Sequence, residues 1–207
     1  MTKILLVRHG HVEGIEPRRF RGRADLPLTG RGLAEAQAVA QRIASSGHPS
    51  KVYTSPMTRC VVTGDAIAKA CNIEAQILDH LNDIDYGAWQ GHSYEEMEAA
   101  HPQLYATWFT APGLMRFPGG DSLQDLVART AEALRFVLSH HVDDTVVLVG
   151  HDSGNRALLL QLLDQPLSAY WRLAQEPCCI NEIDVIDGRI LVRRINASDH
   201  LDGVAVG

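Results

Sequence analysis

The sequence predicts an α/β fold: three α/β/α layers around a mostly parallel central sheet. Three observations carry that expectation. Two wholly apolar runs, ILLV at 4–7 and VVLV at 146–149, read as strands buried on both faces. Amphipathic helical patterns follow these runs and alternate with further short strands. The order is strand–helix–strand–helix, then a helical stretch, then strand–helix and a hairpin, which suits a sheet covered on both sides.

The elements follow in order. Residues 3–8 form the first strand, and 10–28 a long loop with Gly10, Gly14, Pro17, Gly22 and Pro27. Thr29 caps a helix over 30–46, whose Leu33, Ala36, Val39, Ala40 and Ile43 share one face. KVYTS is a short strand, and PMTRCVVTGDAIAKAC a helix with Pro56 in its first turn. EAQIL is a weaker strand. Residues 93–110 are helical but broken at His101-Pro102, and 111–120 form a loop. This region, near 92–120, is expected to cap the site. A strong amphipathic helix then starts at a cap supplied by Asp121 or Ser122. DTVVLVG is the second buried strand and SGNRALLLQLLD the next helix. The last elements are a hairpin turning at Asp187-Gly188 and a flexible tail, ASDHLDGVAVG.

The chain has 207 residues, 45% of them hydrophobic, which fits one domain over 1–207. A net charge of -6 argues against a nucleic-acid partner. Yet Arg8, Arg18, Arg19, Arg21 and Arg23 crowd residues 8–23 against only Glu13 and Glu16, so a cleft there can focus a small anion. Cys60, Cys71, Cys178 and Cys179 show no zinc-site spacing and read as reduced thiols in a cytoplasmic protein. No run is long enough to cross a membrane. The paired His140-His141 at a helix end read as solvated imidazoles.

Three predicted strand ends carry polar side chains, and ligands in open α/β sheets sit beyond such ends. LLVRHG delivers Arg8 and His9, VYTSPMTRC delivers Ser55 and Arg59, and VVLVGHDSGN delivers His151 and Asp152. Arginine forks match tetrahedral oxyanions, and histidine can be a covalent nucleophile. The joint set points to a phosphoryl group. HDSGN also offers a serine, but the spacing fails the G-x-S-x-G elbow of a serine hydrolase.

LVRHG, RFRGRADLPLTGRG, TSPMTRC, LNDIDYGAWQG, PGGDS and VLVGHDSGNRALL, in this order, make the chain similar to the histidine phosphatase superfamily, which includes phosphoglycerate mutase. The resemblance covers residues 3 to about 195 and implies a phosphoglycerate mutase-like fold. It implies His9 as nucleophile, Arg8 and Arg59 as phosphate clamps, and His151 stabilising the equatorial oxygens. The loop residues Arg21 and Gly22, with Asp152, join Arg8, Arg59 and His151 as expected phosphate contacts. The family's proton donor is usually a glutamate in L-x-E-x-x-x-G-x-W, and LNDIDYGAW places Asp83 there. Asp152 is the rival donor, and Asp85 reads as structural. The family's x-T-x-x-N after RHG is replaced by Val12 and Ile15, and Arg19 or Arg21 is expected to compensate.

The resemblance thus implies a metal-independent phosphomonoester hydrolase, without cofactor, acting on a small phosphorylated metabolite. The short chain favours hydrolysis over a phosphoglycerate mutase-type transfer. FPGGDSLQDL also resembles α-ribazole phosphate phosphatases. A catalytically inactive phosphate-binding protein is the distant alternative. Trp89, Tyr94, Tyr105, Trp108, Met115 and Phe117 either stack on substrate or form local core. A homodimer is the assembly to test.

Overall fold

The computed structural model describes residues 1–46 and 48–204. Among them the chain builds a six-stranded sheet from β1 (Thr2–Arg8), β2 (Lys51–Thr54), β3 (Ala75–Ile77), β4 (Thr145–Gly150), β5 (Ile180–Ile186) and β6 (Arg189–Ala197), in the order β3-β2-β4-β1-β5-β6. The first four are mutually parallel, and β5 and β6 close one side antiparallel. β1 and β4 lie centrally in register, Leu5 opposite Val147 and Arg8 opposite Gly150.

Successive side chains of a strand point to opposite faces, and this divides the core. Leu5, Val7, Val147 and Val149 pack with Ala36, Val39, Ala40 and Ile43 of α1 (Gly30–Ser46) and Cys60 and Ile67 of α2 (Thr58–Ala70). Ile4, Leu6, Val146 and Leu148 face the other way, onto Ala133 and Val137 of α5 (Leu123–His140) and Leu158 and Leu159 of α6 (Asp152–Leu162). The three layers follow directly. A further apolar cluster lies under α3 (Tyr94–Ala100) and α4 (Pro102–Thr110), built on Phe20, Trp89, Trp108 and Phe117.

The element boundaries expected from the sequence hold closely, with four differences. Leu33 is 49% exposed and leaves the apolar face of α1 to its four companions. Pro56 precedes α2, whose N-cap is Met57. His141 is not solvated: Tyr53 Oη lies 3.0 Å from its Nε2 and Asp144 3.1 Å from its Nδ1. The tail is ordered as far as it is described. Asp199–Leu201 forms a 3₁₀ turn, His200 Nε2 donates to Cys178 O (3.0 Å), and Leu201 packs on the α1 side of the core. Residues 205–207 of that tail lie outside the described residues.

The expected caps are present. Thr29 Oγ1 accepts from Gly32 N, and Ser122 forms a reciprocal capping box with Asp125. The Asp187-Gly188 turn has both residues at positive φ, as a two-residue hairpin loop of this hand needs. Among the described residues no helix is long and apolar enough to cross a membrane.

Candidate active site

The carboxyl ends of β1, β2 and β4 bring the predicted residues together. His9 N donates to Gly150 O (3.0 Å) and Ser55 N to Val149 O (2.9 Å), so the three chain exits are tied side by side. The His9 and His151 rings meet edge to face, 5.3 Å between centroids. Both are about 1% exposed.

Backbone chemistry fixes the tautomer of His9. Its Nδ1 lies 2.7 Å from Gly10 O, which can only accept. Nδ1 therefore carries the hydrogen, and Nε2 keeps its lone pair. Burial first, then the charges of Arg59 and Arg8, pull the His9 pKa well below the ordinary imidazole value. The ring is neutral at neutral pH, the form that can attack phosphorus.

Arg59 is fully buried and divides its donors between the two halves of the site. Nη1 donates to Ala24 O (2.8 Å). Nη2 reaches Gly22 O (2.7 Å), Asp83 Oδ2 (3.1 Å) and His151 Nδ1 (3.2 Å). A guanidinium only donates, so His151 Nδ1 accepts and its Nε2–H points to Ser55 Oγ, 2.8 Å away. Burial brings the His151 pKa down to about 3, against the opposing pull of Asp83. Arg8 is also buried and donates through Nη1 to Gln175 O. The Nε atoms of both Arg8 and Arg59 are buried without a protein partner.

Asp83 sits within this cluster. Its Oδ1 accepts from Ile84 N (2.9 Å) and from the Ser153 hydroxyl, while Oδ2 faces Arg59 and His151. Asp152 is differently placed. It pairs with Arg156 at 3.0 Å and lies 3.9 Å from Arg21. Burial would raise its pKa, but Arg8, Arg156 and Arg21 outweigh that and hold it far below the usual carboxylate range.

Next to this cluster lies a cavity of about 460 Å³. Its walls carry Arg8, Arg18, Arg21, Arg156 and Arg172 against Glu16, Asp152 and Glu176. From the predicted set, Arg8, Arg21 and Asp152 line it; His9, Arg59, Asp83 and His151 are packed beside it in the protein interior. Gly22 does not line it. Its carbonyl holds Arg59, its φ is +47°, and a Cβ at this position would fall only 2.8 Å from Ile84 O, so no side chain fits. Arg21 lies on the cavity and donates to Gly14 O (2.6 Å), whereas Arg19 turns away to Gly91 O (2.9 Å). Ile15 lines the cavity and Val12 is fully buried, bridged to Leu28.

The cap contributes less than expected. Trp89, Trp108, Met115 and Phe117 are core, and from residues 92–120 only Tyr94 reaches the wall. The opposite wall comes from residues 171–176, which sequence reasoning does not reach. Sequence reasoning also misses Arg156. Its signal is its place one helical turn after Asp152, a spacing at which helix side chains meet.

The chain is 32% identical over 201 residues to phosphoserine phosphatase 1 of Hydrogenobacter thermophilus, covering 97% of this chain and 95% of that one. Bacillus stearothermophilus YhfR superposes with a TM-score of 0.91 at 25% identity, over 97% of this chain and all of the other. A phosphoserine phosphatase mutant from Entamoeba histolytica, solved with phosphoserine, superposes with a TM-score of 0.87 at 26% identity, again over 97% and 100%. The family model for branch 1 of the histidine phosphatase superfamily matches residues 4–198. With a tautomer-fixed histidine, two buried arginines and a second histidine at the ends of its parallel strands, the chain belongs to the histidine phosphatase superfamily.

Proposed function

We propose that this histidine phosphatase hydrolyses a small phosphomonoester carrying a carboxylate, with phosphoserine the first substrate to test. One observation carries the chemistry: His9 is neutral, presents Nε2 as its lone pair, and lies with Arg8 and Arg59, each keeping a buried unpartnered N–H. The five arginines of the adjoining cavity favour a substrate with anionic charge beyond the phosphoryl group. The relatives that act on or hold phosphoserine support the same choice.

In this reading His9 Nε2 attacks phosphorus and the bond to the leaving oxygen breaks. Asp83 gives that oxygen its proton. Arg8 and Arg59 hold the charge developing on the equatorial oxygens, a contribution on the order of several kcal/mol, while neutral His151 accepts from Arg59 and packs edge-on against His9. Water then attacks the phosphohistidine while Asp83 accepts its proton, returning neutral His9 and free phosphate. Asp83 is taken as the donor rather than Asp152 because its Oδ2 lies between Arg59 and His151, whereas Asp152 pairs with Arg156 and faces Arg21. Every group in the sequence of steps is a protein side chain or water. The free thiols of Cys60, Cys71, Cys178 and Cys179 are the basis for proposing a cytoplasmic protein.

The test is phosphate release with a chelator present. Phosphoserine is compared with esters of similar size that lack a carboxylate, such as glycerol phosphate. Preferential release from phosphoserine supports the proposal. Equal turnover of all the esters contradicts the carboxylate assignment, and no turnover of any contradicts hydrolysis.

A further inference from the structure

Asp83 is one methylene shorter than the glutamate expected at its place, so its reach depends on how its backbone and carboxyl are held. Donors hold it at both ends: Arg129 and, at 3.3 Å, Arg23 at the backbone carbonyl, and Ser153 at the carboxyl. Arg129, on α5, donates through Nη2 to Asp83 O (2.8 Å) and Asn82 O (3.2 Å). Its Nη1 donates to Asp121 Oδ2 (3.2 Å), and its Nε is buried without a partner. All its hydrogen bonding thus goes to the loop carrying Asp83 and to the residue bracing that loop. Asp121 completes the brace, accepting from Asp85 N (3.0 Å) and donating its own N–H to Asp85 O (2.9 Å).

The other end is the carboxyl group. Ser153, 1% exposed in the first turn of α6, donates its hydroxyl to Asp83 Oδ1. Ile84 N donates to the same oxygen. Two donors fill Oδ1, and Oδ2, which accepts from Arg59 Nη2, faces Arg59 and His151. The arrangement fixes the orientation of the carboxyl as well as its place.

We propose that Arg129 and Ser153 are positioning residues for proton donation: Arg129 fixes the Asp83 carbonyl, and Ser153 turns its Oδ2 toward the leaving oxygen. The proposal rests on Asp83 being the donor. As His9 Nε2 bonds to phosphorus and the P–O bond breaks toward the leaving oxygen, the Asp83 proton moves to that oxygen and Asp83 becomes a carboxylate.

The test uses leaving groups that differ in their need for a proton. Serine leaves as an alkoxide unless protonated, whereas p-nitrophenolate is stable as an anion. kcat/KM is measured on phosphoserine and p-nitrophenyl phosphate for wild type, Ser153→Ala, Arg129→Lys and Asp83→Asn. General acid catalysis is worth roughly 10²–10⁴-fold, so Asp83→Asn should lose about that on phosphoserine and far less on the nitrophenyl ester. Ser153→Ala and Arg129→Lys should each lose about tenfold on phosphoserine, again mostly sparing the nitrophenyl ester. In the Asp83→Asn background neither should lose more. Arg129→Gln replaces Arg129→Lys should the lysine variant not fold. Equal losses on both esters for Ser153→Ala and Arg129→Lys, while Asp83→Asn discriminates between them, would overturn the positioning roles alone. An Asp83→Asn variant that loses equally on both would remove the donor and the proposal with it.

Discussion

At the scale of single residues, one backbone carbonyl sets the chemistry. Gly10 O accepts a hydrogen bond from His9 Nδ1–H and so leaves the lone pair on Nε2, the atom that attacks in the proposed reaction. Burial keeps that ring and His151 uncharged, and this links the site to stability. A histidine whose folded pKa is depressed binds fewer protons than its unfolded counterpart between the two values. Stability is therefore full above the unfolded value of 6.5 and falls as pH drops from there toward the folded value, about 3 for His151. We expect the unfolding free energy to fall by up to about 1.4 kcal/mol per pH unit for His151 across that window, with His9 adding in the same direction below 6.5. Denaturant midpoints at pH 7, 5.5 and 4.5 would measure it, and a flat profile would contradict neutral burial. NMR titration should find no protonation of the His151 ring at pH 5. Arg59 makes a separate prediction. Its removal strands Asp83 and two carbonyls in the interior, so Arg59→Ala should cost about 3–5 kcal/mol as well as activity. An unchanged Tm in that variant would contradict the buried-pair geometry.

At the scale of elements, the strands and caps were legible because their signals are local. ILLV and VVLV read as two-faced strands, and the alternation of their neighbours between the two helix layers follows from the pleat. Ser122 was legible as a cap, and its box with Asp125 makes the start of α5 sensitive to it: Ser122→Ala should lower stability by about 1 kcal/mol, read from denaturant midpoints. Less was visible where function depends on pairing across the fold. Arg8, His9, Arg59, Asp83 and His151 could be named in advance because each stands in an ordered motif at or near a strand end. Ser153 and Arg129 could not, since their roles exist only through Asp83, 70 and 46 residues away. The 171–176 wall has no strand or α-helical periodicity to announce it, and its position comes from packing against α6, where Arg156 donates to Leu173 O (2.7 Å) and lies over the Trp171 ring.

At the scale of the whole molecule, a net charge of -6 surrounds a cavity walled by five arginines. The local field, not the total, governs capture of an anion. We expect kcat/KM for a multiply charged substrate to fall as salt rises, as exposed charge pairs are screened over about 10 Å at 0.1 M. Rates measured on phosphoserine across a salt series would show it, and salt-independence would argue against arginine-directed binding. The parallel half of the sheet gathers the three polar strand ends, and the antiparallel hairpin closes the sheet beyond β1. In the proposed reaction these ends converge on a covalent step at His9, and that step can be trapped. Wild type and His9→Ala would be quenched rapidly, without acid, during turnover of phosphoserine, then examined by intact mass and peptide mapping. One phosphoryl group should appear on His9 in the wild type, lost on mild acid treatment, with neither adduct nor turnover in His9→Ala. Undiminished turnover by His9→Ala, or a phosphoryl group mapped to any other residue, would rule out His9 as the nucleophile.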